Sequence, residues 1–303
     1  MKRCKRFLTL PSFIMLGLLL ASAHTHHLPG ARANAGEPDE RLILGVLEHS
    51  NDGERKGHSV RVAFYKEGGR WKAYPTDFHT EGELSKAAKS FPESVAWTVC
   101  FDGRPYGSLS SKNPKSVGYY KDVGVQQITS EGSVPVAGKP SEAFSGWPGG
   151  LTYRPLVLNS RAACADPAGW RPAKPEAADI NAVRDYLGKR FTASAAKLSK
   201  AKVAANKSYA SRVRGAKLVS VNITGAEVIP ASSDDDQNKD AWFYVTGKEV
   251  TYLGSNMLLV DAGDYDGDGK EEAVFKVQRY DNDGYLLFHD GFEQKLEFSW
   301  GYH

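Results

Sequence analysis

Short apolar runs separated by turn-forming residues dominate most of the chain, a pattern that predicts strands. Over residues 41–160 the runs are "RLILGVL", "VRVAFY", "VAWTVCF" and "YRPLVL", β-branched or aromatic and of strand length. Turn signals lie between them: "NDG" at 51, "EGG" at 67, "DG" at 102 and "WPGG" at 147. Asp102-Gly103 after "WTVCF" predicts a hairpin, because a type I′ turn needs positive φ at both central residues. "EGELSKAAKS" at 81–90, stopped by Pro92, predicts one short helix.

The pattern changes after residue 160. Residues 161–175 are Pro-rich and irregular. In "PEAADINAVRDYLGKRF", Ile180, Val183 and Leu187 recur at spacings of three and four and share one helical face. The Ala-, Lys- and Ser-rich "TASAAKLSKAKVAANKSYASR" that follows has helix propensity but few large apolar residues to bury, and reads as a surface helix or a connector. From residue 216 the chain is again strand-like. "KLVSVNI", "AWFYVT", "VTYL", "MLLVDA", "AVFKVQRY", "YLLFHD" and "KLEFSW" follow at short, regular spacing, as in an antiparallel meander. The expected fold class is therefore α+β, mostly β. A β domain spans 41–160, a Pro-rich segment and helical connector 161–215, and a C-terminal β meander 216–303. Whether the two β regions form one body or two stays open.

The N-terminus reads differently. Lys2, Arg3, Lys5 and Arg6 precede an apolar run from Phe7 to Leu20, and "ASA" closes at Ala23. Basic, apolar and small residues in that order make a secretory signal peptide over 1–23. At 14 residues the run falls short of the roughly 20 that a spanning helix needs. A second small-residue site, "ARA", ends at Ala33. Residues 24–40 are polar and punctuated by Gly and Pro, as in a loose tail. The expectation is a secreted or periplasmic protein with no membrane span once the signal is removed. Cleavage after Ala23 would also place His26 third in the new chain, a pattern that can hold Cu(II) or Ni(II).

Removing the signal alters the charge balance. The full chain carries 39 basic and 36 acidic residues; without the four basic residues of the signal the count is 35 against 36. The slight positive charge belongs to the signal, so no nucleic-acid partner is implied. Charge is nevertheless uneven, with 11 basic and three acidic residues over 174–217, and 17 acidic and six basic from Glu227 onward. These are either two solvated surfaces or two faces steered together by complementary charge. Cys4 leaves with the signal. Cys100 and Cys164 remain, and in an exported chain they are candidates for a disulfide.

The strongest chemical signal is "DAGDYDGDGKEEAVF" at 261–275. Hard divalent cations such as Ca2+ take six to eight oxygen ligands. Asp264, Asp266 and Asp268 alternate, Gly269 supplies a sharp turn at the sixth position, Lys270 would ligate through its carbonyl at the seventh, and Glu272 offers a carboxylate at the ninth. An EF-hand is excluded, because its twelfth position is Phe275 rather than Glu and both flanks read as strands rather than helices. Ala273, Phe275 and Val277 would share one face of the outgoing strand. Six acidic groups between Asp261 and Glu272 would repel one another without a cation.

The stretch Gly263 to Phe275 resembles the calcium loop of FG-GAP repeats, also called VCBS-type or integrin-α-propeller-type repeats. That resemblance implies Ca2+ held by Asp264, Asp266, Asp268 and Glu272, with the Lys270 carbonyl, between two strands. The chain shows one such loop and no repeat of 40 to 60 residues, so a propeller is not implied. The wider C-terminal stretch is similar to the C-terminus of a group of uncharacterised exported bacterial proteins.

No nucleophile elbow or zinc-protease motif is present. "GSVPVAGKP" at 132–140 departs from a phosphate loop in spacing and places Pro140 where Ser or Thr should stand. "DNDG" at 281 and "SDDDQNKD" at 233 read as a turn and a solvated loop. His49, His58, His79 and His289 show no ligand spacing along the chain and read as ordinary histidines. The expected function is a secreted, non-catalytic, calcium-binding protein that is structural or binds an extracellular protein or glycan. The alternative is an exported hydrolase with its site in the N-terminal β region.

Overall fold

The computed structural model describes residues 41–50, 57–78, 80–114, 122–138, 153–161, 164, 166, 168–191, 195–230, 238–279 and 282–301. The signal peptide, the tail and its histidines, and the "SDDDQ" of 233–237 lie outside the described residues. The body from Asp39 to His303 forms one unit and is mostly β, with antiparallel pairing throughout its sheets.

Seven strands build the first sheet: β1 (Leu42–Ser50), β2 (Gly57–Glu67), β3 (Arg70–Ala73), β4 (Ser94–Phe101), β5 (Arg104–Lys112), β6 (Val125–Ile128) and β7 (Leu156–Asn159). Their order is β1-β7-β4-β5-β6-β2-β3, and β1 also pairs with β2. That extra pairing closes six strands into a ring, which leaves no open edge on them. β3 lies beyond, on the end of β2. The β4–β5 hairpin turns at Asp102 and Gly103, whose φ values of 51° and 69° are the pair a type I′ turn requires. A short helix, α1 (Glu81–Ala87), starts with a capping box between Thr80 and Glu83.

The second sheet has the order β12-β11-β10-β9-β8. It comprises β8 (Arg171–Pro172), β9 (Lys202–Ala210), β10 (Ala216–Thr224), β11 (Ala241–Thr246) and β12 (Glu249–Gly254). α2 (Ala177–Arg190) packs Val183 and Leu187 onto Val219, Val221, Phe243 and Val245 of this sheet. Between helix and sheet the contact is apolar. The basic residues of this region divide their partners: Lys217 of β10 pairs with Glu176 and Asp179 at the start of α2, while Arg214 reaches Glu271 beside the meander. One expectation is corrected here. Residues 202–210, read as surface helix or connector, are a strand, and among the described residues of that stretch Ala195–Leu198 is helical (α3). β9 is hydrogen-bonded to β10 and β8 on its two sides, and this pairing overrides the helix propensity of Ala and Lys.

The third sheet is a four-stranded meander, β13 (Met257–Gly263), β14 (Glu272–Gln278), β15 (Asn282–His289) and β16 (Gln294–Gly301). β10 to β12 therefore belong to a different sheet from the strands that carry the Asp-rich loop. The meander is the middle layer of the body. Met257, Leu259, Phe275, Val277 and Phe288 face Leu218 and Trp242 of the second sheet. Val260, Val274, Tyr285, Leu287, Phe298 and Trp300 face the first sheet and share its core. Burial of both faces explains why "AVFKV" is almost continuously apolar. Ala273, Phe275 and Val277 do share one face.

Cys100 at the end of β4 is bonded to Cys164, with Cα atoms 5.4 Å apart. The bond closes a loop of 64 residues. Replacing both cysteines by alanine is expected to lower stability by about 4 kcal/mol, from loop entropy restored to the unfolded chain. Urea unfolding with and without reductant measures this; a midpoint indifferent to reductant would refute it. Among the described residues, no helix is long and apolar enough to cross a membrane.

Candidate metal centre

β13 and β14 pair down to Gly263↔Glu272, and the loop between them carries the three aspartates. Backbone N–H groups fold the loop onto its own carboxylates. Asp264 accepts from Gly267 N (2.8 Å) on Oδ1 and from Gly269 N (2.9 Å) on Oδ2. Asp266 Oδ1 accepts from Asp268 N at 3.0 Å, and Asp268 Oδ1 from Lys270 N at 2.8 Å. Gly269 has φ 83°, a conformation that strains residues with a Cβ.

These turns bring one carboxylate oxygen from each of Asp264, Asp266 and Asp268 within 4.8 Å of one another. That separation suits ligands of a single Ca2+, whose bonds are about 2.3–2.6 Å long. Glu272 is not part of this close group. It is 1% exposed, and its Oε2 accepts from Tyr265 N at 2.9 Å. Burial pushes its carboxyl up to about 9, and the charges of Asp266, Asp264 and Asp268 push in the same direction. Lys270 points its ammonium away, to Asp290 Oδ1 at 2.9 Å, so only its backbone carbonyl can serve the loop.

Partners from distant parts of the chain complete the surroundings. The ammonium of Lys66, on β2, contacts Asp266 Oδ2 and lies 3.3 Å from Asp268 Oδ2. It supplies positive charge at the mouth of the carboxylate group. Asn159 Nδ2 on β7 donates to the Tyr265 carbonyl at 2.7 Å, and the Tyr265 ring is buried in the first core. The loop is thus pinned to the first sheet from both sides. Glu271 is buried, its Oε2 accepting from Trp170 Nε1 at 2.9 Å, and Arg214 Nε lies 3.6 Å from Oε1. Burial pushes Glu271 up to about 7. Asp166, also buried, is raised by burial and by the charge of Asp264.

The sequence pointed to the loop aspartates. It carried no sign of Lys66, Asn159, Asp166 or Arg214, which approach only through the packing of three sheets. Elsewhere, a cavity of about 280 Å3 lies beside α1, lined by Leu84, Lys89, Phe91, Asn113 and Val123 among others. It gathers no set of carboxylates. No protein-family model matches the chain, and no curated protein or solved structure matches it either.

Proposed function

We propose that the β13–β14 loop holds one Ca2+ as a brace for the middle sheet of an exported, non-catalytic protein, whose role is structural or the binding of an extracellular protein or glycan. The observation that carries the reading is the approach of the Asp264, Asp266 and Asp268 carboxylates to within 4.8 Å. The strand–loop–strand setting supports the resemblance to FG-GAP loops. The Cys100–Cys164 bond is in keeping with an oxidising compartment. Asp264, Asp266 and Asp268 would supply side-chain oxygens, Lys270 its carbonyl, and Glu272 a carboxylate next to the group. Lys66, whose ammonium lies against Asp266 and Asp268, would compete with a cation for these carboxylates.

Extracellular calcium modules bind at about 10⁻⁴–10⁻³ M. At 10 mM Ca2+ this corresponds to about 1.4–2.7 kcal/mol of stabilisation, a rise of roughly 3–6 °C in Tm for a chain of this size. Asp266→Ala should abolish the rise. Lys66→Met should leave it in place and tighten binding, because the competing ammonium is gone. Thermal unfolding in Ca2+ and in EDTA tests both, and indifference of the parent chain to either would sink the assignment.

A further inference from the structure

The pairing of β1 with β2 brings together two residues that lie nine apart in the chain. β1 and β2 are antiparallel, and their register sets His49 opposite His58. The two Nδ1 atoms are 3.1 Å apart, and the rings lie with centroids 4.1 Å apart. Tyr153 packs against the His49 ring at 4.9 Å, edge to face, which restricts its rotation. Both imidazoles are half-buried and accessible from solvent. Glu48, the residue before His49, turns to the opposite face and binds Arg61.

We propose that His49 and His58 form a two-imidazole site for a divalent transition-metal ion of the nitrogen-preferring class, Zn2+, Ni2+ or Cu2+. The separation carries the argument. Imidazole nitrogens bind Zn2+ at about 2.0–2.1 Å. Two such nitrogens on one ion stand about 2.9 Å apart at a right angle and about 3.4 Å apart at the tetrahedral angle. The observed 3.1 Å falls between these limits, so an ion can enter with little movement of either ring. In the metal-free pair the same geometry accommodates one Nδ1–H donating to the other Nδ1, which requires opposite tautomers. Metal binding places both ring protons on Nε2 and both Nδ1 lone pairs on the ion, with no net change in protonation. Two protein nitrogens leave the other positions of the ion to water or to a ligand that the ion brings. This site is separate from the carboxylate loop and differs from it in chemistry: imidazole suits these ions, and oxygen-only loops suit Ca2+.

The test is a Zn2+ titration by calorimetry of the full chain with His24, His26 and His27 replaced by alanine, so that the tail contributes nothing. One Zn2+ should bind per chain, and His49→Ala and His58→Ala should each weaken it tenfold or more. Asp266→Ala should leave the zinc heat unchanged. A long-range 1H–15N spectrum of the imidazoles reads the same event without substitution, since Zn2+ should shift Nδ1 of both His49 and His58. Absence of zinc binding, or zinc heat that survives the double substitution or disappears with Asp266, would overturn the proposal.

Discussion

Arg61→Ala should destabilise the protein by about 3–5 kcal/mol, because it strands a carboxylate in the interior. Arg61 on β2 is 2% exposed. Its Nε donates to Glu48 Oε1 at 2.9 Å, its Nη2 to Glu48 Oε2 at 3.2 Å, and its Nη1 to the Val123 carbonyl at 2.8 Å. The guanidinium lies 3.7 Å from the centroid of the Trp300 ring. Tyr285 completes the group by donating its hydroxyl to Glu48 Oε1 at 2.7 Å. Trp300 and Tyr285 belong to the meander, and Glu48 and Arg61 to the first sheet, so this cluster joins the two layers. Burial alone would raise the Glu48 carboxyl; the charge and hydrogen bonds of Arg61 outweigh it and hold the pKa below its ordinary value. Removing the guanidinium leaves the burial opposed only by the Tyr285 hydrogen bond and the charge of Lys276. The double change Glu48→Leu with Arg61→Met should be milder than Arg61→Ala alone, since it leaves no unpaired charge. Tyr285→Phe should lose about 1 kcal/mol, the usual worth of one hydrogen bond. Urea unfolding ranks the variants. A double variant as unstable as Arg61→Ala would show that packing around Trp300, rather than charge, sets the loss.

The same cluster shows where sequence patterns lose their hold. "RLILGVL" was legible as a strand, but the pattern does not reveal that Glu48 lies buried at its end or that its partners are 13 and 237 residues away. Local periodicity reports which face of an element is apolar; it does not report what covers that face. The strands of the meander were legible for this reason, and their assignment to a middle layer was not. β9 failed for a related reason: Ala, Lys and Ser favour a helix when isolated, and pairing on two sides decides otherwise. The Asp-rich loop was legible because the spacing of its carboxylates is local, folded by its own N–H groups. The histidine pair was hidden because its spacing is set by hairpin register, which a scan along the chain for ligand motifs does not measure.

Stability should fall as pH rises from about 5 to 8, and Asp261→Asn should remove a large part of that fall. Asp261, in β13, is 3% exposed. Its Oδ1 accepts from Asp102 N at 3.3 Å and lies 3.8 Å from Arg154 Nη2, while its Oδ2 has no hydrogen-bond partner among the described residues. Burial pushes the carboxyl up from 3.8 to about 7; Arg154 opposes this, and Asp102 adds to it. Between those two values the folded chain holds a proton that the unfolded chain has released. The stabilising contribution is therefore complete below pH 4 and is lost as pH rises through 7. A shift of that size corresponds to an upper bound on the order of 4 kcal/mol, at about 1.4 kcal/mol per pH unit. Glu271, raised to about 7, and Glu272, raised to about 9, slope the same way, so the informative quantity is the difference between parent and variant. Asparagine is neutral at every pH, like the protonated aspartate it replaces. Parent and Asp261→Asn should therefore separate progressively as pH rises from about 4 to 7, with the variant the more stable, and hold a constant difference above pH 7. Urea unfolding at pH 5, 6, 7 and 8 in EDTA, which removes divalent cations from solution, measures the divergence. Parallel curves for the two proteins would mean that Asp261 is ionised throughout, with the Arg154 charge, 3.8 Å away, sufficient to hold it so.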